Sequence, residues 1–246
     1  MFELQLKNPS ILENSIGIIS DFIQEATFTI DNNGIEMKAM DPANITMVIL
    51  KILPSAFAKY EVKEPEEITL NLDNLKQALR RSKATDTLDL SLERNRLKLI
   101  FKGKSTKSFL IPLLEETKKK REVPNLEFKA EAELESNEFE DYINDADVVG
   151  DALTIEARPD TLIFSAGETS SKVRIELEKN ALISIKSEEP NKAIYAIDYL
   201  KKIAKASKIA NTVKLRFSTD YPIRLDYKAL DRAQMSFILA PRIENK

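Results

Sequence analysis

Two short stretches carry basic residues at a spacing suited to holding phosphates. Residues 72–83 read LDNLKQALRRSK, and residues 197–208, offset by 125 positions, read IDYLKKIAKASK. Asp73, Leu75, Lys76, Arg80, Ser82 and Lys83 fall on Asp198, Leu200, Lys201, Lys205, Ser207 and Lys208 without a gap. On a helix, positions i, i+4 and i+7 lie within one narrow stripe. Lys76, Arg80 and Lys83 therefore point one way while Leu75 and Leu79 anchor the other side. Lys201, Lys205 and Lys208, with Lys202 beside them, repeat the arrangement over Leu200, Ile203 and Ala204. One such stripe is ordinarily a solvated face. Two at equivalent positions, on related halves packed side by side, make a track of point charges for phosphates, without the side-chain pattern of base readout. The chemistry implied is sequence-independent binding of duplex nucleic acid. Passive retention of charges after a duplication is the competing explanation.

Composition narrows the alternatives. A chain of 246 residues with 43% hydrophobic and 31% charged residues has room for one large or two modest domains with a sizeable core and a solvated surface. The net charge of −3 means that any contact with nucleic acid must come from a local basic patch. Cys and His are both absent, which removes disulfides, thiolate and imidazole metal ligands, and Ser-His or Cys-His nucleophile pairs. No cofactor, metal or catalytic group is expected. The early Glu3, Lys7, Glu13 and Asp21 argue against a signal peptide, and no run of eighteen apolar residues occurs. An intracellular protein is expected. The lack of Cys and Trp beside abundant Lys, Glu and Arg is in keeping with a thermophilic source.

The elements that position these stripes are themselves repeated. Thr29-Ile30 matches Thr154-Ile155, GIEMKAM (34–40) resembles TLIFSAG (161–167), LKLIFK (97–102) resembles IRLDYK (223–228), and FLIPL (109–113) resembles FILAPRI (237–243). A first helix is predicted over 9–25 from Pro9, the capping-box pattern Ser10-x-x-Glu13, and Ile16, Ile19 and Ile23 along one face. Its counterpart is predicted at 136–147, where Phe139, Tyr142, Ile143 and Ala146 recur at helical spacing. Alternating segments such as ITMVILKIL, TLDLSL, RLKLIFK, LTIEA, VRIELE, VKLRFS and IRLDY read as strands, with Asn32-Asn33-Gly34 as a turn. They follow one another too closely for crossover helices, so the sheets should be mainly antiparallel with helices packed on one side, an α+β fold. Predicted domains are 1–113 and 126–246, joined by the charge-dense connector LEETKKKREVPN at 114–125.

The start MFELQL, the segment AMDPANITMV (39–48), the connector with Val123-Pro124, and the ending ILAPRIENK (238–246) resemble archaeal or eukaryotic proliferating cell nuclear antigen (PCNA), the DNA sliding clamp. The resemblance spans the whole chain. It implies two similar domains, each with antiparallel sheets and two helices, and three subunits closing into a pseudo-six-fold ring around duplex DNA. A size argument agrees. A half of this length has a radius of gyration of roughly 14 Å, hence a diameter of about 35 Å. With a hole for a hydrated duplex roughly 30 Å wide, about six such units fit around the circle, which is three chains.

By this resemblance, Lys76, Arg80, Lys83, Lys201, Lys202, Lys205 and Lys208 would face DNA. A groove for short hydrophobic peptides would be formed by Met40, Ile45, Met47, Val123, Pro124, Phe128, Pro222, Leu239, Ala240, Pro241 and Ile243. Many of these side chains could instead serve the core, Ile45 and Phe128 first among them. The implied partners are a clamp loader, DNA polymerase, flap endonuclease and DNA ligase, with the protein cytoplasmic and DNA-associated in an archaeal cell or nuclear in a eukaryotic one. Subunits would join through two edge strands, one with Thr106, Lys107, Phe109 and Ile111, the other with Lys172, Val173, Ile175 and Leu177. Three departures from the family pattern stand out: Glu13, Asn14 and Ser20 at usually basic positions; Glu138, Glu140, Asp141, Asp145 and Asp147 on the third helix; and Arg121-Glu122 in the connector. They leave open one specialised subunit of a heterotrimer, or a peptide-binding adaptor that does not encircle DNA. A metal-dependent nuclease holding Mg²⁺ on Glu138, Asp141 and Asp145 is the enzyme alternative.

Overall fold

A computed structural model describes residues 1–115, 122–167 and 170–243. The connector residues 116–121, Arg121 among them, and the last three residues of the tail lie outside the described residues. The chain divides into two compact units. The first comprises Met1–Pro42, Val48–Val123 and Ala229–Met235, the second Ala43–Met47, Pro124–Lys228 and Ser236–Lys246.

The first half of the chain runs β1 (Phe2–Leu6), α1 (Ser10–Ile19), β2 (Glu25–Asp31), β3 (Gly34–Met40), β4 (Thr46–Ile52), β5 (Lys59–Val62), β6 (Glu66–Asn71), α2 (Leu72–Leu79), β7 (Thr87–Leu92), β8 (Arg96–Lys102) and β9 (Thr106–Pro112). The second half repeats that order as β10 (Ala130–Glu135), α3 (Ser136–Asp147), β11 (Ala152–Arg158), β12 (Thr161–Gly167), β13 (Lys172–Glu178), β14 (Ser184–Ser187), β15 (Asn191–Ala196), α4 (Ile197–Ala204), β16 (Thr212–Phe217), β17 (Ile223–Ala229) and β18 (Ala233–Leu239). The repeat read from the sequence is thus a repeat of whole topology, and each strand segment predicted above falls on a strand.

In the first unit one sheet has the order β5-β1-β7-β8-β9, and β2 pairs with both β3 and β6. In the second unit β10 lies between β14 and β16, β16 pairs with β17, and a separate sheet has the order β13-β12-β11-β15. All of these ladders are antiparallel. Strands β9 and β13 each lie at the edge of their sheet, with the same alternation: Phe109 and Ile111, like Ile175 and Leu177, sit deeper than their neighbours. The β2–β3 turn needs glycine at position 34. Its φ is +128°, and a Cβ there would meet the Ile52 carbonyl oxygen at 2.2 Å.

Helix α1 packs against α2 and α3 against α4. Helix α3 covers the residues predicted for it, with Phe139, Ile143 and Ala146 fully buried and the Phe139 and Tyr142 rings 6.0 and 5.8 Å from that of Phe164. Helix α1 is shorter than predicted, ending at Ile19, although Ile16, Ile19 and Ile23 are all buried as their spacing required. The capping box is not formed. A capping side chain must stand outside the helix on extended backbone, whereas Pro9 already has helical torsions and Ser10 is the first helical residue. Asn8 takes over, its Oδ1 accepting the Ser10 N–H at 2.9 Å. The first unit's core also holds an apolar void of about 40 Å³, lined by side chains that include Leu4, Leu12, Ile16, Leu75 and Leu90.

Candidate nucleic-acid interface

Helix α2 starts where Asn71, on extended backbone, accepts the Asn74 N–H on its side chain at 3.0 Å. Leu72, Leu75, Ala78 and Leu79 form its buried face. The α-helix ends at Leu79, short of the predicted 72–83, because the next turn tightens: Arg81 N–H and Ser82 N–H bond back only three residues, to Ala78 and Leu79, and the Asp86 carboxylate captures the Lys83 N–H. Arg80 is the C-terminal cap and Lys83 lies beyond the helix, both exposed. The second copy keeps its helical course longer. Helix α4 buries Ile197, Leu200, Ile203 and Ala204 and passes directly into a 3₁₀ turn over Lys205–Lys208. Residues three apart eclipse on such a turn, which places the exposed Lys205 and Lys208 one above the other.

The first lysine of each stripe is occupied. Lys76 Nζ lies 3.4 Å from Asp21 Oδ1, just past the end of α1, and Lys201 Nζ lies 2.6 Å from Asp147 Oδ2, at the end of α3. A second cross-helix bond recurs as well. Ser82 Oγ donates to Glu13 Oε2 of α1, and Ser207 Oγ donates to Glu140 Oε2 of α3. Glu13, Glu140 and Asp147, read above only as departures from a basic pattern, are therefore working partners of α2 and α4, as is Asp21. The signal that could have revealed them is the repeat itself, since Glu13 and Asp21 precede Glu140 and Asp147 by nearly the offset that relates the lysines. Lys202 Nζ is 5.5 Å from the centre of the Tyr199 ring. Glu138, Asp141 and Asp145 do not form part of any group of acids able to hold a metal ion among the described residues, which leaves the Mg²⁺ alternative without its site. They do surround Tyr142, whose phenol is pushed up first by burial and then by those three carboxylates.

The residues expected to bind peptides divide by burial. Of those in the second unit, Met47 and Leu239 are buried, while Ile45, Phe128, Pro222, Ala240 and Pro241 are half-buried and Pro124 and Ile243 exposed. Ile45 and Phe128, expected to serve the core, are only half-buried, and Met47 and Leu239 are the buried members. Met40 and Val123 belong to the first unit and are each half-buried. The tail is tied down where Ala240 N–H donates to the Ile45 carbonyl at 3.0 Å and Arg242 N–H to that of Ile194 at 2.7 Å. Phe128 stands edge-on to Tyr221 at 6.1 Å, with the Arg216 guanidinium 5.7 Å from its centre. Arg216 in turn meets Asp226 at 2.5 Å, and Asp226, only 1% exposed at its side chain, also takes Arg224 Nε and Ser236 Oγ. Burial pushes the Asp226 carboxyl up, but hydrogen bonds from Ser236 and Arg216 and the charges of Arg224 and Arg216 outweigh it and hold the group below the usual carboxylate range.

Residues 1–118 match the family model described as "Proliferating cell nuclear antigen, N-terminal domain", and residues 122–242 match its C-terminal counterpart. The chain belongs to the proliferating cell nuclear antigen family. It is 35% identical over 246 residues to a protein named "DNA polymerase sliding clamp" from Thermococcus gammatolerans, with 99% of each chain covered. A protein of the same name from Nanoarchaeum equitans is 37% identical over 237 residues, covering 94% of this chain and 95% of that one. Among solved structures, PCNA from Thermococcus kodakaraensis superposes with a TM-score of 0.92 at 28% identity, covering 98% of this chain and all of the other. Among the described residues no helix is long and apolar enough to cross a membrane.

Proposed function

We propose how this chain acts as the sliding clamp that its family membership makes it: three copies close head to tail around duplex DNA, hold it without reading sequence, and tether enzymes that work on it. The observation that carries the reading is the duplicated helix pair, with Arg80 and Lys83 in one copy and Lys205 and Lys208 in the other exposed at corresponding positions. Charges of this kind serve phosphates rather than base edges. The closing contact is assigned to the two edge strands, Thr106, Lys107, Phe109 and Ile111 of β9 meeting Lys172, Val173, Ile175 and Leu177 of β13 on the next copy. Unlike edges joined head to tail generate a ring when the rotation closes.

The chain performs no catalysis of its own in this reading. Replication and repair enzymes, a polymerase, a flap endonuclease and a ligase, dock through short hydrophobic peptides against the apolar surface near Ile45, Phe128, Pro222, Ala240 and Pro241, and a clamp loader opens the ring. Support comes from Phe128, a half-exposed aromatic set beside Tyr221 and Arg216, and from a tail tied beside Ile45. Retention on DNA tests the encircling directly. Loaded clamps should stay on a closed circle and run off the ends once it is cut, whereas equal loss from both would leave only a peptide-binding adaptor. The acidic surface of α3 favours one second reading, a specialised member of a mixed ring. Sedimentation of the purified chain decides between them: a trimer supports identical subunits, a monomer at micromolar concentration the mixed ring.

A further inference from the structure

We propose that Asp21 and Asp147 set how tightly the clamp grips DNA, each withholding the first lysine of the neighbouring basic helix from the phosphates. The inference rests on the reading that α2 and α4 face duplex DNA, and it adds a role for residues outside the basic set. Its warrant is that the same contact is built twice. In each half an aspartate at the end of the first helix holds the first lysine of the stripe, Lys76 at 3.4 Å and Lys201 at 2.6 Å. In each half a glutamate about two turns earlier takes the hydroxyl of the serine that closes the stripe, Glu13 with Ser82 and Glu140 with Ser207. Each basic helix is therefore fastened at both ends to an acidic neighbour, and the aspartate is held where the lysine must meet it.

The physical effect follows from counterion release. Affinity for duplex DNA depends on the number of phosphates that cations neutralise, and each one adds about 0.9 to the slope of log affinity against log salt. An ammonium already paired with a carboxylate presents a dipole rather than a full charge, so it contributes little to that number. Both partners of each pair are partly solvated, with side-chain exposures of 20% and 25% for Lys76 and Asp21 and 40% and 37% for Lys201 and Asp147. The pairs are therefore weak enough to exchange a carboxylate for a phosphate at modest cost. The exposed Arg80 and Lys83, farther along the first copy, carry remaining contact. A clamp built this way holds DNA mainly by enclosing it and slides with little electrostatic drag.

The test follows single clamps diffusing along a linear duplex with both ends blocked, over a range of salt concentrations. Four proteins are compared: wild type; Asp21→Asn with Asp147→Asn; that double variant carrying also Lys76→Gln and Lys201→Gln; and Asp141→Asn with Asp145→Asn. The last adds the same charge on exposed residues of α3 for which no ion pair is seen among the described residues. Releasing the two lysines should slow diffusion several-fold and steepen its salt dependence, and removing those lysines should restore wild-type motion. The Asp141/Asp145 variant should move like wild type. If it slows as much as the Asp21/Asp147 variant, or if the Asp21/Asp147 variant slides unchanged with its melting temperature intact, the proposal is overturned. Wild-type clamps that leave blocked and open duplexes equally fast would instead refute the encircling itself and take the proposal with it.

Discussion

In the first half of the molecule the basic helix stops at Leu79 and its last cation, Lys83, sits on a turn; in the second, helical backbone continues through Lys208. The cores differ too. Where the first half has Met37 the second has Phe164, packed among Phe139 and Tyr142, and the first unit's core is lined around a void of about 40 Å³. The second unit adds a buried carboxylate held by two arginines and a serine. Yet the cross-helix contacts, Asp21 to Lys76 and Asp147 to Lys201, Glu13 to Ser82 and Glu140 to Ser207, are the same. The lesson is that two copies of one fold drift freely in their cores and helix ends while keeping the polar contacts that fasten each basic helix to its acidic neighbour.

The comparison is broken most severely at the edge strands. Lys107→Pro in β9 or Ile175→Pro in β13 removes a backbone donor from an edge, and either substitution alone should turn trimers into monomers in sedimentation, since one junction needs both edges. If only one of them did so, the two strands would not be partners.

Next in size is Asp226→Ala, which strands two arginines against a buried site and should cost about 3–5 kcal/mol in denaturant melts. Its pH dependence has a definite sign. The folded carboxyl is held below its ordinary value of 3.8, so its stabilisation is complete above that value and is lost as pH falls through the depressed folded one. Asp226→Asn should remove that acid-side dependence in the second unit.

Phe128→Ala probes an asymmetry of function between the units. Calorimetry with a polymerase-derived peptide should show a loss of about 2 kcal/mol, roughly thirtyfold in affinity, with the trimer intact. Undiminished binding would move the docking site elsewhere. The smallest effect belongs to the first unit's void. At about 24 cal/mol per Å³ of empty space, filling it with Leu90→Phe should gain at most about 1 kcal/mol, seen as a melting point raised by a few degrees.

Much of this was legible from residue spacing. Helix α3 announced itself through Phe139, Ile143 and Ala146, and β7 and β17 through strict alternation, because burial on one face imposes its period on the chain. Strand β10 was harder. AEAELE alternates correctly, with Ala130, Ala132 and Leu134 buried, but alanine and glutamate favour helices. The end of α1 and the failed capping box depended on a one-residue shift in where helical torsions begin, which residue types alone do not specify. The peptide-site residues were named by resemblance, but which of them reach the surface was hidden, since Met47 and Phe128 are equally apolar on paper. The aspartate partners of Lys76 and Lys201 lie at the end of a different helix, so the repeat marks them as a matched pair while only packing shows which lysine each one meets.

In the proposed ring, the two joining edges β9 and β13 also fix the arithmetic of assembly. A single chain offers these two, and so does a pair; every step before the last joins one junction and leaves the count of loose ends unchanged. Closing the circle alone brings that count to zero. Incomplete assemblies should therefore be scarce beside single chains and complete circles, and a circle opened at one junction still holds together through the others, so letting DNA in requires breaking only one.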